Sequence, residues 1–136
     1  MKITFFGAAK TVTGSCYGIH ANTTNILIDC GIFQGTRDNE KRNVDPFPFR
    51  PSEIHYVLLT HAHLDHSGLI PKLVRDGFTG RILATPATVD LCGVMLLDSA
   101  HIQERDAAGE NKRRMRAGKP PVSPLYTIRE AAGSLA

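Results

Sequence analysis

The stretch Leu58–Leu69, LLTHAHLDHSGL, puts three histidines and one aspartate into six consecutive positions, 61 to 66, directly after an apolar run. A solvated loop gains nothing from so many imidazoles. The pattern is His61-x-His63-x-Asp65-His66, following a short strand-like segment from Tyr56 to Thr60. Residues two apart at a strand end point the same way, so His61 and His63 converge on one point. Asp65 and His66 project toward a neighbouring point once the chain turns. Imidazole and carboxylate suit Zn²⁺, with bonds of roughly 2.0–2.2 Å. Two ions about 3.5–4 Å apart would clamp a reacting phosphate or carbonyl and supply hydroxide near neutral pH. For a lone histidine, a hydrogen-bonded loop position is the commoner outcome. Four ligand-type side chains in six positions reverse that balance.

The rest of the chain fits one small α/β domain. Its 136 residues suffice for one modest core, and 42% hydrophobic against 21% charged residues is ordinary for a globular protein. The net charge of +3 is only a weak pointer to an anionic partner. No apolar run approaches the ~18 residues of a membrane span. Cys16, Cys30 and Cys92 are odd in number and lack CxxC spacing, which fits free thiols in a reducing, cytoplasmic setting.

Strands are predicted at Lys2–Phe6, Cys16–Ala21, Thr24–Asp29, Tyr56–Thr60 and Arg81–Thr85, with the second and third joined through NTT. The three prolines of DPFPFRPSE argue against regular structure there. Pro71 suits the start of a short helix that Gly77 ends. A long helix opens at Thr85 and Pro86 and carries Leu91, Val94, Met95, Leu97 and Ile102 near helical spacing. A basic, proline-containing linker is predicted from Lys112 to Pro124, and Thr127–Glu130, TIRE, has capping-box form. A sheet covered by helices on one face follows.

The HxHxDH run after an apolar strand resembles the signature of the metallo-β-lactamase superfamily. Within it the chain looks like the β-CASP branch of RNA-processing nucleases, on the words GAAKTVTGSCY, LIDCGIFQG, THAHLDHSGLIPKL and LLDSAHIQERDA, in that order over about the first 107 residues. The resemblance implies an αββα sandwich with the site at one edge of two facing sheets. It assigns His61 and His63 to one zinc and Asp65 and His66 to a second, with Asp65 also acting on the nucleophilic water. Asp29 matches the acidic residue of the first motif, expected to hold the histidine loop by hydrogen bonds; otherwise it is a strand-end aspartate capping its own turn. The implied reaction is hydrolysis of RNA phosphodiester bonds by a metal-bound hydroxide.

That family completes its site with a further histidine, a bridging aspartate and a final histidine downstream. His20, His55 and His101 do not fall where those motifs should lie. Residues 1–136 are therefore expected to be the N-terminal part of a catalytic domain, without its cap domain and second half, as a truncated product or excised fragment. Alone, such a chain would be inactive and would leave an apolar sheet face open to self-association. Two rivals stand beside this one: a hydrolase of the same fold acting on a thioester or lactam, and a non-catalytic chain that binds RNA or a partner through Lys112, Arg113, Arg114, Arg116 and Lys119. A solvated helix end or linker is the favoured account of that basic run, since no interleaved aromatic residues offer base stacking. The loops Gly7–Ser15 and Gly31–Gly35 offer backbone N–H groups to a phosphate or are plain connections. Cys30 reads as a small buried apolar residue.

Overall fold

The computed structural model describes all of residues 1–136. Five strands lie side by side in chain order: β1 (Lys2–Phe5), β2 (Tyr17–Ala21), β3 (Thr24–Ile28), β4 (Tyr56–Leu58) and β5 (Arg81–Leu83). β1–β2–β3 is an antiparallel meander, and β3, β4 and β5 are parallel. Two antiparallel steps restore direction, so β1 runs with β3, β4 and β5. The carboxyl ends of these four strands therefore share one edge of the sheet, the usual position of a site in an α/β fold.

The β2–β3 turn passes through Asn22 at φ +53°, a conformation asparagine tolerates better than most residues. β3 ends one residue earlier than the sequence predicts, because Asp29 at φ +61° leaves the extended region. β4 and β5 each end two residues early, at Leu58 and Leu83.

Of the five helices, all but the first contribute buried residues beneath one face of the sheet, and the first buries none. The five are α1 (Arg37–Lys41), α2 (Leu64–Ser67), α3 (Ile70–Arg75), α4 (Pro86–Arg116) and α5 (Ile128–Gly133). Of these, α1 and α2 are too short to show a helical period and were not foreseen. The core joins Leu27 and Val57 of the sheet to Leu73, Leu96, Tyr126 and Ala131, all essentially fully buried. The proline-rich segment holds only a single 3₁₀ turn, Pro51–Glu53. It packs through stacked Phe47 and Phe49 beside Phe6. Lys72, 3% exposed, is held there by the Asp45 carbonyl at 2.6 Å and the Phe47 ring at 4.0 Å. Desolvation pulls its pKa down, with Asp76 partly offsetting the effect.

α4 opens as predicted, with Thr85 Oγ1 accepting from the Thr88 N–H and Pro86 in the first turn. Its 31 residues span about 46 Å. The segment predicted as a basic linker, Lys112–Pro124, begins as helix: Lys112, Arg113, Arg114 and Arg116 lie in the last turns of α4, and only the part after Arg116 is irregular. No helix breaker intervenes before Gly118 at φ +64°. Glu110 pairs with Arg113 at 3.0 Å, and the cations complement the helix C-terminus. Asn111 then grips the returning chain through two hydrogen bonds with Val122. The capping box predicted at Thr127–Glu130 is present and starts α5. α5 seats the buried Tyr126, whose hydroxyl lies 3.0 Å from Ser99 Oγ; burial pushes this phenol up.

The other sheet face has no cover. One cross-strand row carries Ile3, Ile19, Ile26, Tyr56 and Arg81; the next carries Phe5, Tyr17, Ile28, Leu58 and Leu83. None of the ten is buried, and Phe5 is 65% exposed. This is the open apolar face expected of half a sandwich.

Candidate metal centre at the sheet edge

The histidine loop leaves β4 at the common carboxyl edge. His63 caps α2, which carries Asp65 in its first turn and His66 in its last. His61 and His63 do converge, with ring centroids 4.8 Å apart, but not through strand alternation, since β4 has already ended. The loop does it. Ser67, fully buried, donates to the Ala62 and His63 carbonyls at 2.9 and 3.1 Å and pins the turn. The His66 ring lies against His61 at 4.0 Å.

Asp29, 2% exposed, organises this loop from beneath. Its Oδ1 accepts from the Thr60 backbone N–H at 2.8 Å, and both of its oxygens lie 2.9 Å from Thr60 Oγ1. Ser15 Oγ donates to Oδ2 at 3.2 Å. His66 Nδ1 stands 2.7 Å from the same oxygen. A carboxylate only accepts, so His66 donates from Nδ1 and turns the lone pair of Nε2 outward. Thr60 Oγ1, its proton committed to Asp29, accepts from His61 Nδ1 at 3.0 Å and frees His61 Nε2 in the same way. Asp29 thus sets the tautomers of two ring systems. Buried as it is, it acts through them and does not reach a substrate.

Backbone pairing locks the frame. Ser15 N–H donates to the Asp65 carbonyl, Cys30 N–H to that of His66, and Ile32 N–H to that of Leu64, at 2.8, 2.8 and 2.9 Å. Gly31 is required at this seam, because a Cβ there would lie 1.7 Å from the Asp65 carbonyl oxygen. Cys30 is 1% exposed, and its thiol is pushed up by the hydrogen bond with Cys16 and by burial. It is packing, as read from the sequence, and all three cysteines are free and buried.

The donor set suits a metal in kind. His66 Nε2 and Asp65 Oδ2 stand 3.5 Å apart, and two ligands of one tetrahedral zinc ion are separated by roughly 3.3–3.6 Å. It falls short in number, since no three histidine, cysteine, aspartate or glutamate side chains are placed to hold an ion among themselves. His20, on Asn25 at 2.6 Å, and His55, which accepts from the Asn25 N–H, belong to the far end of the sheet; His101 is exposed on α4. Thr60 and Ser15, which hold the Asp29 carboxylate, were not singled out in the sequence. Both lie within the motif words, but their bonds to Asp29 arise only from folding.

The family description "Metallo-beta-lactamase superfamily" matches residues 9–126. The chain is 48% identical over 109 residues to Ribonuclease TTHA0252 of Thermus thermophilus, covering 80% of this chain and 25% of that protein. It is 36% identical over 118 residues to Transcription termination factor FttA of Methanosarcina mazei, covering 83% and 17%. With Probable RNase MJ4 of Methanocaldococcus jannaschii it shares 35% over 119 residues, covering 83% and 24%. Among solved structures, BJP-1, a subclass B3 metallo-beta-lactamase of Bradyrhizobium japonicum, is 27% identical with a TM-score of 0.48, covering 67% of this chain and 33% of that one. The chain spans a quarter or less of the length of the three curated relatives.

Proposed function

The chain belongs to the metallo-β-lactamase superfamily, and on that premise we propose that it forms the first half of the two-zinc centre of a β-CASP-type nuclease that hydrolyses RNA phosphodiester bonds. The observation that carries this is the bond from His66 to Asp29, which leaves His66 Nε2 3.5 Å from Asp65. The names of the relatives, two ribonucleases and a transcription termination factor, favour RNA as the substrate.

His61 and His63 would hold one zinc ion, and Asp65 and His66 the other. When bound, zinc supplies Lewis acidity and acidifies coordinated water. The chain's own residues do the positioning. Asp29, through Thr60 and directly, holds His61 and His66 by their Nδ1 atoms and leaves their Nε2 atoms facing the site. Asp65, a quarter exposed, is the carboxylate at hand to orient a water or take its proton. Residues 1–136 act as the N-terminal part of the catalytic domain. A longer chain or a partner supplies the remaining ligands, the facing sheet and the cap. Without them the open sheet face favours self-association. Three free thiols favour a cytoplasmic setting, and no helix is long and apolar enough to cross a membrane.

The test is cleavage of a labelled oligoribonucleotide by a longer protein that contains this chain, beside its His61→Ala and Asp65→Ala variants. We expect zinc-dependent cleavage that falls by at least a hundredfold in both variants, and none by the 136-residue chain alone. Hydrolysis of a thioester or lactam without cleavage of RNA would overturn the substrate. Zinc-dependent cleavage by the short chain would overturn its incompleteness.

A further inference from the structure

The loop between β1 and β2 leaves the sheet at the same edge as the histidine loop, since β1 runs with β3 and β4. β1 lies two strands from β3, roughly 10 Å at ordinary strand spacing. The loop's far end is fastened to the metal centre: Ser15 bonds the Asp65 carbonyl and the Asp29 carboxylate. Its near end is closed by the Gly7 N–H on the Cys16 carbonyl at 3.1 Å. Its outer rim is held by Thr13, which exchanges hydrogen bonds with Gln34.

Between these anchors the backbone has an unusual form. Ala8 and Lys10 take φ of +50° and +64°, while Ala9 and Thr11 do not enter the positive region. Neither alanine nor lysine gains local compensation for the left-handed conformation as asparagine would. No N–H from Ala8 to Gly14 has an acceptor within the protein. Alternating handedness along successive residues turns such N–H groups toward a common concavity, the geometry of an anion-binding nest. Ala8, Ala9 and Thr11 are small enough to leave it accessible. Lys10 is exposed and has no acidic partner. The basic turns of α4 are a weaker anion candidate: α4 starts just after β5 at the site edge, and they begin about 39 Å along it.

We propose that the Ala8–Gly14 loop is a phosphate-binding nest, with Lys10 as its counter-charge, that grips a backbone phosphate of the substrate beside the metal centre. That it serves an RNA substrate rests on the function proposed above; the anion site itself does not. It fixes where a polynucleotide strand lies on this half of the site, and Lys10 is a positioning residue, remote from the reacting bond.

The experiment is an amide NMR titration of the ¹⁵N-labelled chain, stripped of metal by chelation, with inorganic phosphate at ionic strength held constant with sodium chloride. Saturable shifts confined to the amides of Ala8–Gly14 are expected. Lys10→Gln should weaken binding by about three- to tenfold. Ala8→Pro, whose ring cannot adopt φ +50°, should abolish it while leaving the rest of the spectrum in place. Motionless loop amides, shifts equally produced by chloride, or full affinity in Ala8→Pro would overturn the proposal. Because neither metal nor RNA is present, a failure to cleave RNA leaves this result standing. In the cleavage assay, Lys10→Gln should raise KM and leave kcat unchanged. Loss of kcat at unchanged KM would count against a phosphate grip.

Discussion

Replacing Gly31 by alanine drives a methyl group into the turn that carries Asp65. The new Cβ would stand 1.7 Å from the Asp65 carbonyl oxygen and 2.7 Å from the His66 nitrogen. Cβ atoms essentially never come within 3.0 Å of another heavy atom, so the Asp65 carbonyl must retreat by at least about 1.3 Å. Neither neighbour is the yielding tip of a side chain; both are backbone. The bonds from Ser15 to Asp65 and from Cys30 to His66, each 2.8 Å, cannot survive a shift of that size. Two broken bonds at about 1 kcal/mol each, plus desolvated groups left unpaired, give a loss of roughly 2–4 kcal/mol. A small domain has about 5–15 kcal/mol in all. In urea, with a slope of about 1–3 kcal/mol/M, the midpoint should fall by roughly 1–2 M with the slope unchanged. Zinc affinity should fall with it, because Asp65 and His66 are the displaced residues. Gly109→Ala is the control: nothing lies within 4 Å of the new Cβ, and the site is mid-helix in α4. It should stabilise by about 0.5–1 kcal/mol. Gly31→Ala within about 0.5 kcal/mol of the parent would refute the reasoning.

Asp29→Asn keeps the shape but gives His66 an amide in place of one carboxylate oxygen. Zinc affinity should fall by about 10–100-fold, measured by calorimetry, and parent-like affinity would mean that Asp29 does not set the imidazole tautomer. Tyr126→Phe should cost about 0.5–1.5 kcal/mol below pH 10, from the lost bond to Ser99. The folded-state pKa of Tyr126 lies above its unfolded value, so the stability this phenol contributes is complete below about pH 10 and is lost as pH rises toward the folded value. The gap between parent and variant in urea melts should therefore close in that alkaline window; a gap that widens contradicts the assignment. On the open face, Phe5→Lys together with Leu83→Lys should shift sedimentation profiles toward monomer, and unchanged self-association would place the contact elsewhere.

Much of this was legible because local rules and tertiary structure agree. Thr85–Pro86 and Thr127–Glu130 are capping signals written in adjacent residues, and both helices start where those signals say. The five strands were visible as apolar alternation, although their ends were not: β3 stops where Asp29 takes a positive φ, an angle no local sequence rule announces. Hidden too were the bonds of Thr60 and Ser15, which meet Asp29 across 31 and 14 residues of chain. Lys112–Arg116 misled because charge density suggests a linker, whereas lysine and arginine are good helix formers and complement a helix end. His61 and His63 were placed together correctly but by the wrong cause, since a loop pinned by Ser67 brings them together.

The central claim is that His61, His63, Asp65 and His66 form half of a metal centre already organised by Asp29. Calorimetric zinc titration of the chelator-stripped 136-residue chain, run beside Asp65→Ala and His61→Ala, tests it most directly. The expected result is zinc binding at no more than two ions per chain, weakened at least tenfold in each variant. Zinc bound tightly and retained unchanged by both variants would contradict it, because the ion would then sit elsewhere.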